Sequence, residues 1–372
     1  MDAGFLIRNS LSLLLRRRLN FHFDRIPMQA RGISGHKLFN LAKIGLNRLL
    51  PIPRTLGYPY MAHISPSGLC DLRCNQCPTA APETQGKQLL AFDTFKKFID
   101  ETGDYLLYII LWSWGEPLLN PEIYRMIAYA KQKNILSVTS SNLNRLSRKD
   151  ARCLISSGLD ALIVALDGTT PETHACQRIG GDFNRVVDNV RLLMEEKRRA
   201  GSRHPIVNLR MVVSRENEGE VEAFWQLAQD LGVDMVSIKA FSTRQAGCTN
   251  PEIHRRFVPQ GDKYRWYRYH PDFTTDKQPK RYKCRFPWTK PTLFANGTVA
   301  SCEFDLTFEY PFGNINQNSF DEIWFSPQAE DFRRRFQKNR DTVEFCRDCV
   351  YDYKLIEGCV LEWEYLTDAV IP

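Results

Sequence analysis

The sequence contains no apolar run long enough to cross a bilayer. In the N-terminal segment the longest uncharged stretch runs only from Asn9 to Leu15, whereas a spanning helix needs about 20 apolar residues. A secretory signal, an internal repeat and a low-complexity tract are also lacking. The 372 residues are enough for one large and one smaller domain, and we expect a cytoplasmic protein.

Acidic residues are almost absent from the first 60 positions. This segment has ten Arg and Lys but only Asp2 and Asp24 as acids, and the whole chain has a net charge of +7, so the excess positive charge lies here. Leucines from Leu11 to Leu15 precede Arg16 to Arg18, and apolar residues follow at helical spacing over 38–49. The pattern predicts a basic amphipathic segment over residues 1–58.

Two interpretations of this segment stay open. In the first, the segment contacts an anionic membrane surface, which would place the protein peripherally at the inner membrane face. In the second, the apolar stripe of the segment packs on the rest of the protein. Nucleic acid also attracts basic segments. However, the aromatic and basic stretch from Tyr264 to Tyr269 is short, so no nucleic-acid partner is expected.

The eleven cysteines fall largely into closely spaced groups, which favours metal-bound thiolates over disulfides. Cys70, Cys74 and Cys77 lie on one loop directly after a strand-like segment. A [4Fe-4S] cube needs four ligands, so three thiolates leave one iron open to a small molecule. A structural zinc site is the alternative, but no second ligand pair follows at the usual zinc-finger distance.

This C-x3-C-x2-C motif resembles that of the radical S-adenosylmethionine (SAM) enzymes. In that family SAM chelates the open iron, and electron transfer cleaves SAM to methionine and a 5′-deoxyadenosyl radical, which takes a hydrogen atom from the substrate. The resemblance covers about residues 60–372. It implies a SAM-binding [4Fe-4S] cluster and SAM as cofactors, and an electron donor such as flavodoxin or ferredoxin as a partner.

Short β-branched or aliphatic runs alternate with helical patterns between residues 62 and 240. Six such runs, most of them followed by a helix, predict parallel βα units with right-handed crossovers. Six units are too few for an eight-stranded barrel, which agrees with the partial (β/α)6 TIM-like barrel that the resemblance implies. Chemistry is then expected at the carboxyl ends of the strands.

We therefore predict an α/β protein with the barrel at 59–245, a linker or substrate loop at 246–282 and a small β-hairpin and helix domain at 283–372. The predicted strands are 62–65, 106–112, 135–140, 161–166, 206–213 and 235–240. The predicted helices are 92–102, 121–133, 147–157, 183–200 and 218–231.

Gly115, Glu116 and Pro117 end the second predicted strand. They match three of the four positions of the family's Gly-Gly-Glu-Pro sequence, which receives the amino group of SAM. Glycine lets the main chain approach closely, and carbonyl groups with a carboxylate suit an ammonium group. Taken alone, Gly-Glu-Pro is also an ordinary turn sequence.

Weaker SAM contacts are predicted at the next two strand ends. Ser140 and Asn142 lie where the family presents hydroxyl or amide groups to SAM, although both are common turn residues. The chain departs from the family at Ala165, where a serine commonly helps to bind the SAM carboxylate. Arg178 would then supply more of that contact, unless it is only a surface ion-pair partner.

The last hundred residues contain a second set of cysteines. Gly297-x4-Cys302 is typical of a β-hairpin, and a later C-x2-C pair supplies further thiolates. This arrangement resembles the SPASM and twitch extension of radical SAM enzymes. The full two-cluster form uses seven cysteines and only five occur here, so one auxiliary [4Fe-4S] cluster is expected, with Cys359 spare. Its ligands would be Cys284, Cys302, Cys346 and Cys349; a four-cysteine zinc site is chemically possible there.

These features predict a radical SAM oxidoreductase. The resemblance alone implies that the auxiliary cluster would accept an electron from a substrate radical, which would make the reaction a two-electron oxidation. The basic N-terminal segment favours a sugar, a lipid-linked sugar or a lipid as substrate. A peptide maturase and a non-enzymatic, zinc-stapled nucleic-acid or membrane binder are the alternatives. Spacing does not choose a base among Asp167, Glu303 and Asp305.

Overall fold

The computed structural model describes residues 12–50, 52–75, 77–80, 86–242, 251–278, 284–354 and 358–370. Residues 1–11 and 51 of the predicted N-terminal segment lie outside this description, as do 246–250 and 279–282 of the predicted linker. No helix within the described residues is both long and apolar enough to traverse a bilayer.

A mixed sheet of ten strands organises the molecule. Six of them, β3 to β8, are parallel and follow one another in chain order, as predicted. Strand β9 continues the sheet parallel to β3, while β10, β11 and β12 are antiparallel to their neighbours. The strands are β1 Leu19–Phe23, β2 Ile26–Ala30, β3 Met61–Ile64, β4 Tyr108–Ile110, β5 Leu136–Ser141, β6 Ala161–Ala165, β7 Ile206–Val213, β8 Met235–Ala240, β9 Thr292–Leu293, β10 Thr298–Ala300, β11 Pro311–Asn314 and β12 Val360–Tyr365.

Helices cover the outer face of this sheet, and local signals set their ends. Ser147 accepts the Asp150 N–H in a capping box that begins α4, and Gly232, at φ +64°, ends α7. The helices are α1 Gly35–Leu49, α2 Phe92–Thr102, α3 Ile123–Gln132, α4 Arg148–Ser156, α5 Pro171–Gln177, α6 Phe183–Arg199, α7 Val221–Leu231, α8 Pro251–Phe257, α9 Phe286–Thr289, α10 Phe320–Trp324, α11 Pro327–Lys338 and α12 Glu344–Arg347. The five predicted helices are confirmed to within three residues at each end.

Side chains alternate between the two faces of the parallel strands. Ile109, Leu162 and Leu209 belong to the main core beneath the helices. Their neighbours Ile110 and Ile163 belong to a second core inside the barrel. The curved sheet therefore encloses a lumen that needs its own apolar filling.

An N-terminal β-hairpin, β1–β2, supplies that filling, and the sequence did not predict it. Ile26 and Met28 are buried in the lumen against first residues of strands, such as Ala161 and Met235, so the hairpin closes the amino-terminal end of the barrel. The turn needs positive φ at both central positions, and Asp24 and Arg25 adopt +49° and +71°.

The tip of the hairpin is fixed to distant parts of the chain. Arg210 Nη1 donates to Asp24 Oδ2 at 2.8 Å, and the Arg25 guanidinium lies 4.2 Å from the centre of the Trp363 ring. Cys359 is buried, with its Sγ 3.8 Å from Asp24 Oδ1. The hairpin thus joins β7 to β12 across the lumen.

The segment predicted as a linker is packed where the structure describes it. It contains α8, and Trp266 and Tyr267 are buried in a cluster with Tyr353 and Cys359. The aromatic and basic stretch from Tyr264 to Tyr269 is therefore part of the folded body.

We expect Ile26→Ala to lower the free energy of unfolding by about 2–5 kcal/mol, because it leaves a cavity in the lumen. The apparent melting temperature should fall by several degrees. Leu46→Ala, at an exposed position of α1, is the control and should change stability by less than about 1 kcal/mol. Equal thermal denaturation curves for the two variants would show that the hairpin does not stabilise the barrel.

Candidate functional site

The loop with Cys70, Cys74 and Cys77 lies at the carboxyl ends of the parallel strands, where its neighbours fix it through the main chain. The Gly68 N–H donates to Gln88 O at 2.8 Å, and the Arg73 N–H donates to Ile179 O at 2.9 Å. The loops after β3 and β6 are therefore joined around the three thiols.

Gly115 brings the predicted SAM motif into contact with this loop. Its φ is +130°, and a Cβ added there would lie 2.2 Å from Ser67 O, far inside contact distance. The next residue, Glu116, donates its N–H to Leu69 O at 2.7 Å. Only glycine permits this approach, so the motif and the cysteine loop form one unit.

The Glu116 carboxylate is buried and is occupied within the protein. It accepts hydrogen bonds from the Ser141 hydroxyl at 2.7 Å, the Asn142 N–H at 2.8 Å and the Leu118 N–H at 3.0 Å. Burial raises the pKa of Glu116 to about 7, although these donors act in the opposite direction. The side chain links the ends of β4 and β5.

Asn142 also supports the cysteine loop. Its Nδ2 donates to Asp71 Oδ1 at 2.9 Å and lies 3.9 Å from Cys70 Sγ. Ser140, two residues earlier, is half-exposed and points into the lumen, on the same face as Val138. Ser140 is thus the more accessible of the two predicted SAM contacts on β5.

Arg178 lies between a carboxylate and a predicted iron ligand. Its Nε donates to Asp167 Oδ2 at 2.6 Å, and its Nη1 is 3.9 Å from Cys74 Sγ. Asp167 is itself held by the Val212 N–H at 2.7 Å. Arg178 is therefore a positioned part of the site and not a surface ion-pair partner.

One cavity above the lumen is lined by Cys74, Cys77, Trp114, Arg178 and Phe241. In the metal-free chain burial raises the pKa of Cys70 to about 12, and burial also raises the pKa of Cys74. Iron binding must therefore displace protons from these thiols. The loop, the cavity and the cationic side chain fit an iron–sulfur cluster with an anionic small molecule beside it.

The second set of cysteines surrounds another cavity. The predicted hairpin is confirmed: β9 and β10 pair antiparallel, and Gly297, at φ +86°, lies in the turn between them. Cys302 follows β10, and Cys346 lies in α12. All four predicted ligands line this cavity together with several phenylalanines.

A tryptophan connects the two cysteine sites, and the sequence did not reveal it. Trp114 Nε1 donates to the main-chain oxygen of Glu303 at 2.6 Å. Trp114 directly precedes the SAM motif, and Glu303 directly follows Cys302. The only sequence signal was the tryptophan beside Gly115.

The three candidate bases all have partners. Asp167 binds Arg178, and Asp305 accepts the N–H groups of Glu309 and Tyr310. Glu303 accepts Lys290 Nζ at 2.9 Å and lies 3.5 Å from His63 Nδ1.

Lys290 and His63 determine the protonation of Glu303. Burial alone would raise the pKa of Glu303, but these two neighbours hold it well below its usual range. Lys290 and His63 carry no motif, so the sequence did not single them out.

Comparisons with known proteins agree with this arrangement. The model of the radical SAM superfamily matches residues 64–228, and that of the SPASM iron–sulfur cluster-binding domain matches residues 284–350. The Fe-coproporphyrin III synthase of Methanosarcina barkeri is 26% identical over 161 residues, 43% of this chain and 39% of that protein. The mycofactocin maturase MftC of Mycobacterium ulcerans is 23% identical over 197 residues, 53% of this chain and 52% of that protein.

The chain thus spans from about two fifths to one half of these relatives. Among solved structures, Streptococcus suis SuiB bound to its precursor peptide SuiA aligns with a TM-score of 0.58. The match has 15% identity and covers 86% of this chain and 75% of that one. At this identity the likeness shows the fold alone.

We expect Gly115→Ala to displace the cysteine loop, because the added methyl group collides with main-chain atoms. After anaerobic reconstitution, the iron content should fall from about eight to about four per chain, as two four-iron clusters become one. Gly219→Ala is the control, since nothing lies within 4 Å of its added Cβ. Unchanged iron in Gly115→Ala would refute the tight contact.

Proposed function

Because this chain belongs to the radical SAM superfamily and carries a C-terminal SPASM domain, we propose that it oxidises its substrate by two electrons. Its cofactors are a SAM-binding [4Fe-4S] cluster with SAM and iron–sulfur in the SPASM domain. When bound, these groups supply the 5′-deoxyadenosyl radical and an electron acceptor. The substrate gives up a hydrogen atom to form 5′-deoxyadenosine, then a proton and an electron.

The observation that carries this proposal is the contact between the two cysteine sites. Trp114 precedes the motif that contacts the first cysteine loop, and it donates to the residue after Cys302. Four cysteines line the second cavity, which completes the ligand set of one cluster with thiolates. A site saturated by protein ligands suits electron transfer and leaves no iron open for substrate binding.

We propose SAM contacts that this geometry supports. The main chain of Gly115 would receive the SAM amino group, while the occupied carboxylate of Glu116 and the ring of Pro117 would fix the path of that main chain. Ser140 offers a hydroxyl group toward the lumen. Arg178 faces the cavity beside Cys74 and would bind the SAM carboxylate through its free donors.

A sugar or the sugar of a lipid-linked substrate is the favoured substrate class. Asn75, Gln177 and Ser242 line the cavity beside Cys74, and Ser140 is half-exposed on the lumen face of β5. These hydrogen-bonding side chains suit a hydroxylated molecule. A peptide maturase would need a leader-binding surface. The described residues 19–30 instead form a hairpin buried in the lumen.

We expect replacement of the auxiliary cysteines to separate the two halves of the reaction. Cys346→Ala/Cys349→Ala should still form 5′-deoxyadenosine with SAM and a chemical reductant, but should lose substrate oxidation. Cys74→Ala/Cys77→Ala should form no 5′-deoxyadenosine above background. Cys153→Ala, in α4, is the matched cysteine control. Both activities are followed by anaerobic chromatography, and substrate oxidation without the auxiliary cysteines would exclude the proposed electron path.

We expect Arg178→Gln to weaken SAM binding by about tenfold or more, because a charged hydrogen bond contributes about 1.5–3 kcal/mol. Equilibrium dialysis with reconstituted protein measures the affinity, and iron content verifies that the neighbouring cluster is intact. Arg185→Gln, an exposed position in α6, should bind SAM normally. Equal affinities of the two variants would remove Arg178 from the SAM site.

A further inference from the structure

Helix α1 points an apolar stripe away from the protein. Phe39, Leu46 and Leu49 are 65%, 47% and 79% exposed, and Ala42 lies between them on the same face. Their spacing of three and four residues makes one continuous strip along the helix. This set of four residues is called the α1 stripe below.

The opposite side of α1 is held by buried polar groups. Asn40 donates to Tyr58 O at 2.9 Å, and Lys37 Nζ donates to Asn134 O at 3.1 Å. Asn47 donates to Arg54 O at 3.0 Å. These bonds fix the rotation of the helix, so the stripe cannot turn inward without breaking them.

This orientation revises one sequence expectation. If the amphipathic segment simply packed on the barrel, its apolar positions would be covered. Leu38 and Leu41 do pack against the protein, but the exposed residues Phe39, Leu46 and Leu49 do not. The helix therefore has two apolar faces, and only one has a partner within the described chain.

The surroundings of the stripe are basic. Between Asp24 and Asp71 the chain has no acidic residue and six Arg or Lys. Lys43 Nζ lies 4.8 Å from the centre of the Phe39 ring. The exposed residues Leu14 and Leu15 repeat this composition beside Arg16 to Arg18.

We propose that α1 docks the protein on an anionic membrane surface, with the α1 stripe inserted at the headgroup level and Lys43 on a lipid phosphate. Phe and Leu on one face with Lys and Arg beside them are the composition of interfacial helices. Each basic residue near such a surface adds about 1 kcal/mol. A second copy of the chain fits less well, because a two-fold contact would place the basic residues of both copies together.

Docking on the stripe leaves the cavity accessible. Leu38 and Leu41 pack with Leu107 and Leu136, which lie at the amino-terminal ends of β4 and β5. The cysteine loop lies at the opposite ends of these strands. The membrane-facing surface and the reaction site are therefore on different sides of the barrel.

Vesicle flotation of the reconstituted full chain tests the proposal. Vesicles of phosphatidylcholine alone are compared with vesicles containing about one third phosphatidylglycerol, at about 0.1 M and 0.5 M salt. We expect binding only to the anionic vesicles, weakened by salt. Phe39→Ser/Leu46→Ser/Leu49→Ser should reduce the partition coefficient by about tenfold or more.

Added charge provides a matched comparison. Leu46→Glu/Leu49→Glu should abolish flotation, whereas Ala223→Glu/Gln229→Glu, which adds the same charge to the exposed face of α7, should retain it. All variants should form 5′-deoxyadenosine from SAM in solution as the wild type does. The docking proposal thus succeeds or fails independently of the proposed reaction.

Three results would overturn the proposal. The first is a wild-type protein that does not float with anionic vesicles. The second is flotation that survives the stripe variants but is lost when Arg16 to Arg18 are replaced. The third is concentration-dependent self-association, without vesicle binding, that the stripe variants abolish, since this would make a second copy the partner of α1.

Discussion

The close approach of Gly115 to the cysteine loop is the constraint on which the site depends. The main chain at Gly115 passes so close to Ser67 O that a side chain there would collide with it. This approach lets the Glu116 N–H donate to Leu69 O. The position of the first set of thiols then follows from the ends of β3 and β4. Since parallel strands end at one edge of the sheet, the residues after β5 and β6 meet at the same place.

Buried charged groups fix these loops in place. Glu116 joins β4 to β5 through two hydrogen bonds, and Asp167 joins Arg178 to the main chain of β7. A buried carboxylate is unfavourable unless its oxygens are occupied. Here the occupying donors come from different loops, so the requirement to satisfy each carboxylate also sets the spacing between loops.

The parallel strands and their helices could be predicted because their determinants are local. Strand runs, capping residues such as Ser147 and the turn glycine Gly297 carry their meaning within a few positions. The hairpin β1–β2 could not be predicted in this way. Its turn has Asp24 and Arg25 in place of the usual Asn-Gly, and its burial is provided by strands more than 80 residues later.

The orientation of α1 and the partners of Glu303 share this limitation. Helical spacing predicts that α1 is a helix, but only the contacts of Asn40 and Lys37 decide which side faces inward. Lys290 and His63 are ordinary residues in the sequence. They contact Glu303 only because β3 and β9 are adjacent in the sheet.

The hairpin tip has a consequence for folding. Arg25 rests on Trp363, and its carbonyl accepts the Tyr365 hydroxyl at 2.7 Å, so the hairpin is completed by a segment 340 positions later in the sequence. Contacts of such sequence separation slow folding. The closure of the barrel at its amino-terminal end therefore depends on contacts that local structure cannot form.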